Sequence, residues 1–165
     1  MNDTLEEDFR AWLAADPTVA GLVTSAAGGA PVPNVYFTAV PTRVNGGFIA
    51  TRCARKDAVH TTSIGGGHLI LAKIVCWCCY KGPDPAANYT QDKAIAQAVK
   101  ARVNQVNGTW VMGNTTVYNV NLADNIEEGQ GDTERDDEFS FHAGTSSGIQ
   151  AEKVAVAFHY WSPNS

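Results

Sequence analysis

The chain reads as one α+β domain, a mostly antiparallel β-sheet with two main α-helices packed on it, over residues 1–165. Three observations predict this. Two amphipathic helical stretches, residues 5–23 and 91–106, each follow a capping residue. Nearly all the other apolar runs are of β type, and no catalytic constellation lies between the helices. At 165 residues with 44% hydrophobic residues, the chain suffices for one core and is marginal for two.

Thr4-Leu-Glu-Glu7 fits a capping box, in which the Thr hydroxyl and the Glu carboxylate satisfy backbone N–H groups at the helix start. Leu5, Phe9, Trp12 and Leu13 fall at i, i+4, i+7 and i+8 and form one buried stripe. Asp16-Pro17 resets the chain, Asp as N-cap and Pro at the first helical position of a further turn or two carrying Val19, Leu22 and Val23. Residues 25–33 read as a loop, since Gly28-Gly29, Pro31 and Pro33 oppose both helix and ladder. Residues 35–40 form a first strand, and Gly46-Gly47 marks a turn into 48–54, which makes the two a candidate hairpin. An extended hairpin arm or a mobile loop is expected over about 43–67, with Gly65-Gly66-Gly67 at its end.

Residues 68–80 give the longest strand signal. One face carries Leu69, Leu71, Lys73, Val75, Trp77 and Cys79, the other Ile70, Ala72, Ile74, Cys76, Cys78 and Tyr80. Both are mostly apolar, so helices on one side leave the second side to be covered, preferably by a neighbouring subunit. After a break at 82–85, Thr90 caps a helix whose inner stripe is Ile95, Ala98, Val99, Arg102, Val103 and Val106, with Asp92 near its positive end. Asn107-Gly108 stops it. Residues 110–112 and 115–122 suggest a hairpin around Gly113-Asn114, the second run alternating Thr116, Tyr118, Val120 and Leu122 against Val117, Asn119 and Asn121. An acidic loop follows over about 124–148, and residues 152–161 close the sheet with Val154, Val156, Phe158 and Tyr160 inward.

The net charge of −5 is unevenly spread. Residues 40–105 carry nine Lys/Arg against three Asp/Glu, and the rest three against fourteen. Such separation either orients a partner or marks solvated loops, and the acidic total disfavours general nucleic-acid binding. The start of the chain lacks the basic and apolar regions of a signal peptide, and no run approaches the roughly 20 apolar residues of a membrane span. A cytosol-like compartment with reduced thiols is therefore expected, and the glycosylation triplets at Asn88, Asn107 and Asn114 are read as chance.

Candidate chemistry is sparse. Cys76-Trp-Cys78-Cys79 suggests a thiol or zinc site, but on a strand Cys79 points away from Cys76 and Cys78, and Cys53 offers the sole route to a fourfold site. His60, His68, His142 and His159 are dispersed, and no elbow motif singles out Ser63, Ser140, Ser146 or Ser147 as a nucleophile. The glycines at 65–67 and Gly129-Gln-Gly131 lack the context of phosphate loops and read as turns. Asp124, Glu127, Glu128, Asp132, Glu134, Asp136, Asp137 and Glu138 lack calcium-loop spacing. Repeated around a ring and facing its channel, they would repel DNA phosphates and let DNA pass without sticking. Arg52, Arg55 and Lys56 suit either an acidic partner or a solvated hairpin. No catalytic, cofactor-binding or metal-ligating residue is assigned.

The order of these pieces resembles the tail-completion or tail-terminator family of long-tailed bacteriophages. The resemblance rests on the opening helix with Leu13-Ala-Ala-Asp16-Pro17-x-Val19-x-x-Leu22-Val23 and the extended Pro33-Asn-Val-Tyr36. It continues in the central strand and Ala-rich helix, Val75-Cys-Trp77 to Asp92-Lys-Ala-Ile-Ala-Gln-Ala-Val99, and in the closing Val154-Ala-Val-Ala-Phe158. It implies a tail-terminator-like α+β virion protein, six copies in a ring, that caps the tail tube and joins it to the head-completion or neck proteins. It implies no catalysis, no cofactor and no membrane, and DNA passing through the ring without sequence-specific binding. Assembly in the host cytoplasm follows. Residues 43–67 and 124–148 are longer than the family pattern and suit partner-specific contacts. A stopper or other neck connector is the nearby alternative, and a cysteine or zinc enzyme the rival from another class. A monomeric binding module is a third reading, which requires Trp77 and its strand faces to be covered within one chain.

Overall fold

A computed structural model describes residues 4–25, 32–37, 46–61, 68–106, 108–122 and 152–162, with side chains for all of these except 25, 32, 37, 54–61 and 68. Three helices, α1 (Leu5–Ala14), α2 (Pro17–Val23) and α3 (Pro85–Asn104), accompany eight strands among the described residues. The strands are β1 (Thr24–Ser25), β2 (Val32–Pro33), β3 (Val35–Phe37), β4 (Gly46–Thr61), β5 (His68–Lys81), β6 (Trp110–Met112), β7 (Thr115–Leu122) and β8 (Glu152–Ser162). Six form one sheet in the order β3-β4-β5-β8-β7-β6, antiparallel except that β3 runs parallel to β4; β1 and β2 form a separate two-residue ladder.

The α+β expectation holds at this level, and the three helices share one face of the sheet. Leu5, Phe9 and Leu13 of α1, Val19 and Val23 of α2, and Ile95, Ala96, Ala98, Val99 and Val103 of α3 meet Ile49, Ala72, Ile74, Cys76, Cys78, Val117, Val154, Val156, Phe158 and Tyr160 in one cluster. Burying each larger apolar side chain there contributes roughly 1.5–3 kcal/mol. The stripes read from α1, α2 and β8 all point into this core. Phe9 meets Phe158 edge-on, with ring centroids 5.1 Å apart.

Helix starts differ from expectation in two places. Thr4 makes no side-chain cap; its hydroxyl donates to Asp8 Oδ2 at 2.8 Å, and its backbone lies outside the extended region that capping uses. No helix N–H donates to the Thr4 hydroxyl in turn; Asp8, one turn on, takes that hydroxyl as a donor. It also takes the Thr115 hydroxyl at 2.6 Å and the Asn114 N–H at 3.0 Å, fixing α1 to the β6–β7 turn. The third helix begins at Pro85, not after Thr90. Asp84 is its N-cap and accepts from Ala86 N at 3.1 Å. The same Asp-Pro pair opens α2, where Asp16 Oδ1 accepts from Thr18 N and Val19 N. Thr90 instead lies inside α3, its hydroxyl on Ala86 O.

Strand pairing also departs from expectation. Residues 35–37 and 48–54 do not form a hairpin, because α2 delivers the chain to the start of β4. Asn34 N donates to Val23 O at 2.8 Å and Ile49 N donates to Asn34 O at 2.9 Å, so β3 begins beside the beginning of β4 and runs the same way. Gly46 and Gly47 belong to β4, opposite Lys81 and Tyr80. A Cβ at Gly47 would sit 2.2 Å from Leu22 O, so this glycine marks a close approach to α2 rather than a turn. The long hairpin is β4–β5, with strands of 16 and 14 residues and register shifts at Cys53/Arg55 and Ala58/His60. Pro33 does enter a ladder, opposite Thr24, in a two-residue strand whose shortness tolerates a missing N–H.

The β6–β7 hairpin turns through Gly113-Asn114 as read, Gly113 having φ +60°. Its alternation breaks at Tyr118, which has no partner between the pairs Val117–Tyr160 and Asn119–His159. The bulge changes the phase, so Thr115, Val117 and Val120 are buried while Tyr118 is exposed.

Two substitutions test these contacts. Gly47→Ala is expected to lower unfolding stability in urea by about 1–3 kcal/mol through the collision with Leu22 O. Asp8→Ala is expected to cost about 1–3 kcal/mol by releasing the Asn114 and Thr115 donors. Wild-type midpoints in both variants would contradict the assignments.

Candidate functional site

Among the described residues, two regions carry side chains that could act on another molecule, the cysteine-bearing centre of β5 and the sheet face turned away from the helices. Strand alternation decides what the cysteines can do. Cys76 and Cys78 face the helices opposite Thr51 and Ile49, and Cys53 lies on the same face opposite Ile74. Cys79 projects to the other side opposite Phe48. All four are free thiols, and Cys76, Cys78 and Cys79 are buried. Burial pushes the Cys76 thiol up to about 12. Burial raises Cys78 further, followed by the neighbouring Cys76, Cys79, Asp92 and Glu152. A thiolate is disfavoured at Cys76 and Cys78, and thiolate is the form that binds zinc or attacks an electrophile. The fourfold site is not assembled, and among the described residues no group of three or more His, Cys, Asp or Glu could hold a metal ion.

Among the described histidines, two lie in adjacent pairs of one hairpin and the third on another strand. His60 and His68 sit near the end of the β4–β5 hairpin, opposite Leu69 and Thr61, while His159 lies on β8 opposite Leu71. His142, the four serines weighed as nucleophiles, the glycines at 65–67 and 129–131 and the acidic run 124–138 lie outside the described residues. Arg55 and Lys56 occupy β4 opposite Lys73 and Ala72, with Arg52 half-buried before the bulge.

The second sheet face has two parts. Towards one end, the cross-strand pairs Phe48–Cys79, Ala50–Trp77 and Val75–Ala155 are all buried, Trp77 being 3% exposed within a single chain. A second subunit is therefore not needed to exclude water from this stretch, contrary to the expectation for β5. Towards the other end, the register aligns Val111, Thr116, Trp161 and Leu69 in one row across β6, β7, β8 and β5. Thr116, Trp161 and Leu69 are half-buried there, and Val111 is 65% exposed. Tyr118, lifted out of the ladder by the bulge, is 45% exposed nearby. The bulge had no signal in the sequence, because Thr116-Val-Tyr-Asn-Val120 alternates plausibly in either phase.

A second group that the sequence showed in part joins three elements. Arg102 of α3 lies over the Trp12 ring of α1, 4.4 Å from its centroid, and donates from Nη2 to Trp12 O at 3.3 Å. Its Nε is 3.7 Å from Asp16 Oδ2, and Trp110 of β6 leans on Trp12 at 5.5 Å. Every charge in this group is used to hold α1, α2, α3 and β6 together, so it reads as a packing device.

The thiol geometry gives a measurable expectation. Cys76, Cys78 and Cys79 should resist iodoacetamide in the native protein at pH 8 and react fully after denaturation, as followed by mass; rapid native labelling of any of the three, or protection removed by a chelator, would contradict it. Comparison of the chain with family models, curated proteins and solved structures found no match.

Proposed function

We propose that this chain is a structural virion protein of a long-tailed bacteriophage, a tail terminator that forms a ring of six and caps the tail tube. In this role it joins the tube to the head-completion or neck proteins, carries out no catalysis and lets DNA pass without sequence-specific contact. It would assemble in the host cytoplasm and remain at the tail–neck junction. The observation that carries the reading is the order of elements. An Asp-Pro-broken helix pair, an extended Pro33–Tyr36 segment, a central strand leading to an Ala-rich helix and a closing β8 follow one another as in that family. The mixed α+β architecture with helices on one face is consistent with it.

One observation favours a different class. Trp77 is buried inside one chain, which is what a monomeric binding module requires. In the ring reading, contacts between copies therefore use other surfaces, among which the exposed Val111 and Tyr118 on the outer face are candidates. A stopper or neck connector would share the same features.

Native mass spectrometry over a range of concentrations separates these readings. A closed six-copy species without bound metal is expected. A monomer at every concentration, with tail-tube protein present as well as absent, would leave the binding module in its place, and stoichiometric zinc would revive the cysteine reading.

A further inference from the structure

The outer face of the sheet is apolar and buried at its centre, with cations along its border. Phe48, Ala50, Val75, Trp77, Cys79 and Ala155 are buried there, while α1, α2 and α3 pack on the opposite face. Among the described residues no helix covers them. Arg52 pairs with Val75, Lys153 pairs with Trp77, and Lys73 pairs with Arg55 on one side and Ala157 on the other. Arg52, Lys73 and Lys153 are half-buried. The register therefore places four cationic residues on three successive rungs of one face, with Arg55 and Lys73 directly opposite each other. Like charges so placed repel, and an anion lying over them removes that cost. On the described strands a single carboxylate residue, Asp57, takes a register position beside them, opposite Leu71.

The sequence offers the missing charge in one place. Of the internal stretches outside the described residues, 26–31, 38–45 and 62–67 contain no Asp or Glu, whereas 123–151 contains eight against one Arg, all between Asp124 and Glu138. That stretch is also far longer than its connection requires. Adjacent antiparallel strands such as β7 and β8 can be joined by about two to five residues, yet the whole of 123–151 separates them. Both its ends open beside the cationic rungs, since Leu122 pairs with Val156 and Glu152 precedes Lys153. Phe139 and Phe141 follow the last acid, so the same stretch carries apolar side chains suited to Val75 and Trp77.

We propose that residues 124–141 dock on the outer face of their own sheet, with carboxylates against Arg52, Lys73 and Lys153 and the two phenylalanines towards Val75 and Trp77. The docking holds whether or not the chain forms a ring. It uses the acids to cover the sheet from within one chain rather than to line a channel.

The test is zero-length cross-linking with a water-soluble carbodiimide, which joins a Lys ammonium to a neighbouring carboxylate as an amide. It is applied to an equal mixture of ¹⁴N- and ¹⁵N-labelled protein and read from peptide masses. Links from Lys73 and Lys153 to acids of 124–138, each entirely light or entirely heavy, are expected. Mixed-isotope links would put a second copy's segment on the face, and an absence of links from these lysines to 124–138 would leave the face to another occupant; either result overturns the proposal. Acetylation of Lys73 and Lys153 gives an independent readout. Its rate should rise roughly tenfold when the eight acids are replaced by their amides, and should rise in the wild type when salt is raised to about 1 M, while Lys100 of α3 keeps its rate. The salt measurement does not depend on the variant folding, and rates at Lys73 and Lys153 unmoved by salt and by the substitutions would also overturn the docking.

Discussion

Everything in this fold hangs on β5. It is hydrogen-bonded to β4 along one side and to β8 along most of the other, and its middle is buried on both faces. A strand so placed cannot slip by one residue without moving Ile74, Cys76 and Cys78 out of the helix-side core and Val75, Trp77 and Cys79 into it. The exchange would put Trp77 where Cys76 or Cys78 now packs, and close-packed cores do not absorb such a volume change. The three cysteines follow from the same constraint. They are small residues buried at the centre of the sheet, and burial raises the thiols of Cys76 and Cys78.

Four aspartates then place the helices on that strand. Asp16 and Asp84 start α2 and α3, Asp8 fastens α1 to the β6–β7 turn, and Asp92 fastens α3 to Tyr80 of β5. Each accepts at least one backbone N–H, so each does for a helix start, a turn or a strand end what a regular ladder cannot. Three of them sit at helix starts or beside an exposed turn. Asp92 is the exception, held in the interior against the end of β5.

Much of this architecture was legible in the residues. The α1 stripe, the Asp16-Pro17 start of α2, the inward face of β8 and the Gly113-Asn114 turn all obey local rules, and each is where those rules put it. Asp84-Pro85 obeys the rule already applied at Asp16-Pro17; the Gly82-Pro83 before it masks the signal by reading as a break. The long-range features were not legible. The parallel β3 depends on Asn34 stitching α2 to β4, and the role of Gly47 depends on how near Leu22 comes. Two apolar faces on β5 signalled cover on both sides, yet periodicity carries no information on whether that cover belongs to the same chain. The cysteine site failed for a reason already present in the alternation, since Cys79 had to face away from the other two. The proposed function rests on the order of elements alone, and the outer-face row from Val111 to Leu69 needs the register of four strands to be seen.

Burial of both faces of β5 within one chain is the claim on which the rest stands, and Trp77 reports it most directly. The protein would be labelled with 5-fluorotryptophan and diluted until mass spectrometry finds only monomer, and the solvent isotope shift of the Trp77 ¹⁹F resonance measured there. A resonance shielded from solvent in the monomer, and unchanged on assembly, is the expected result. A Trp77 open to solvent in the monomer and shielded only in the oligomer would contradict it, and would return the second face of β5 to a neighbouring subunit.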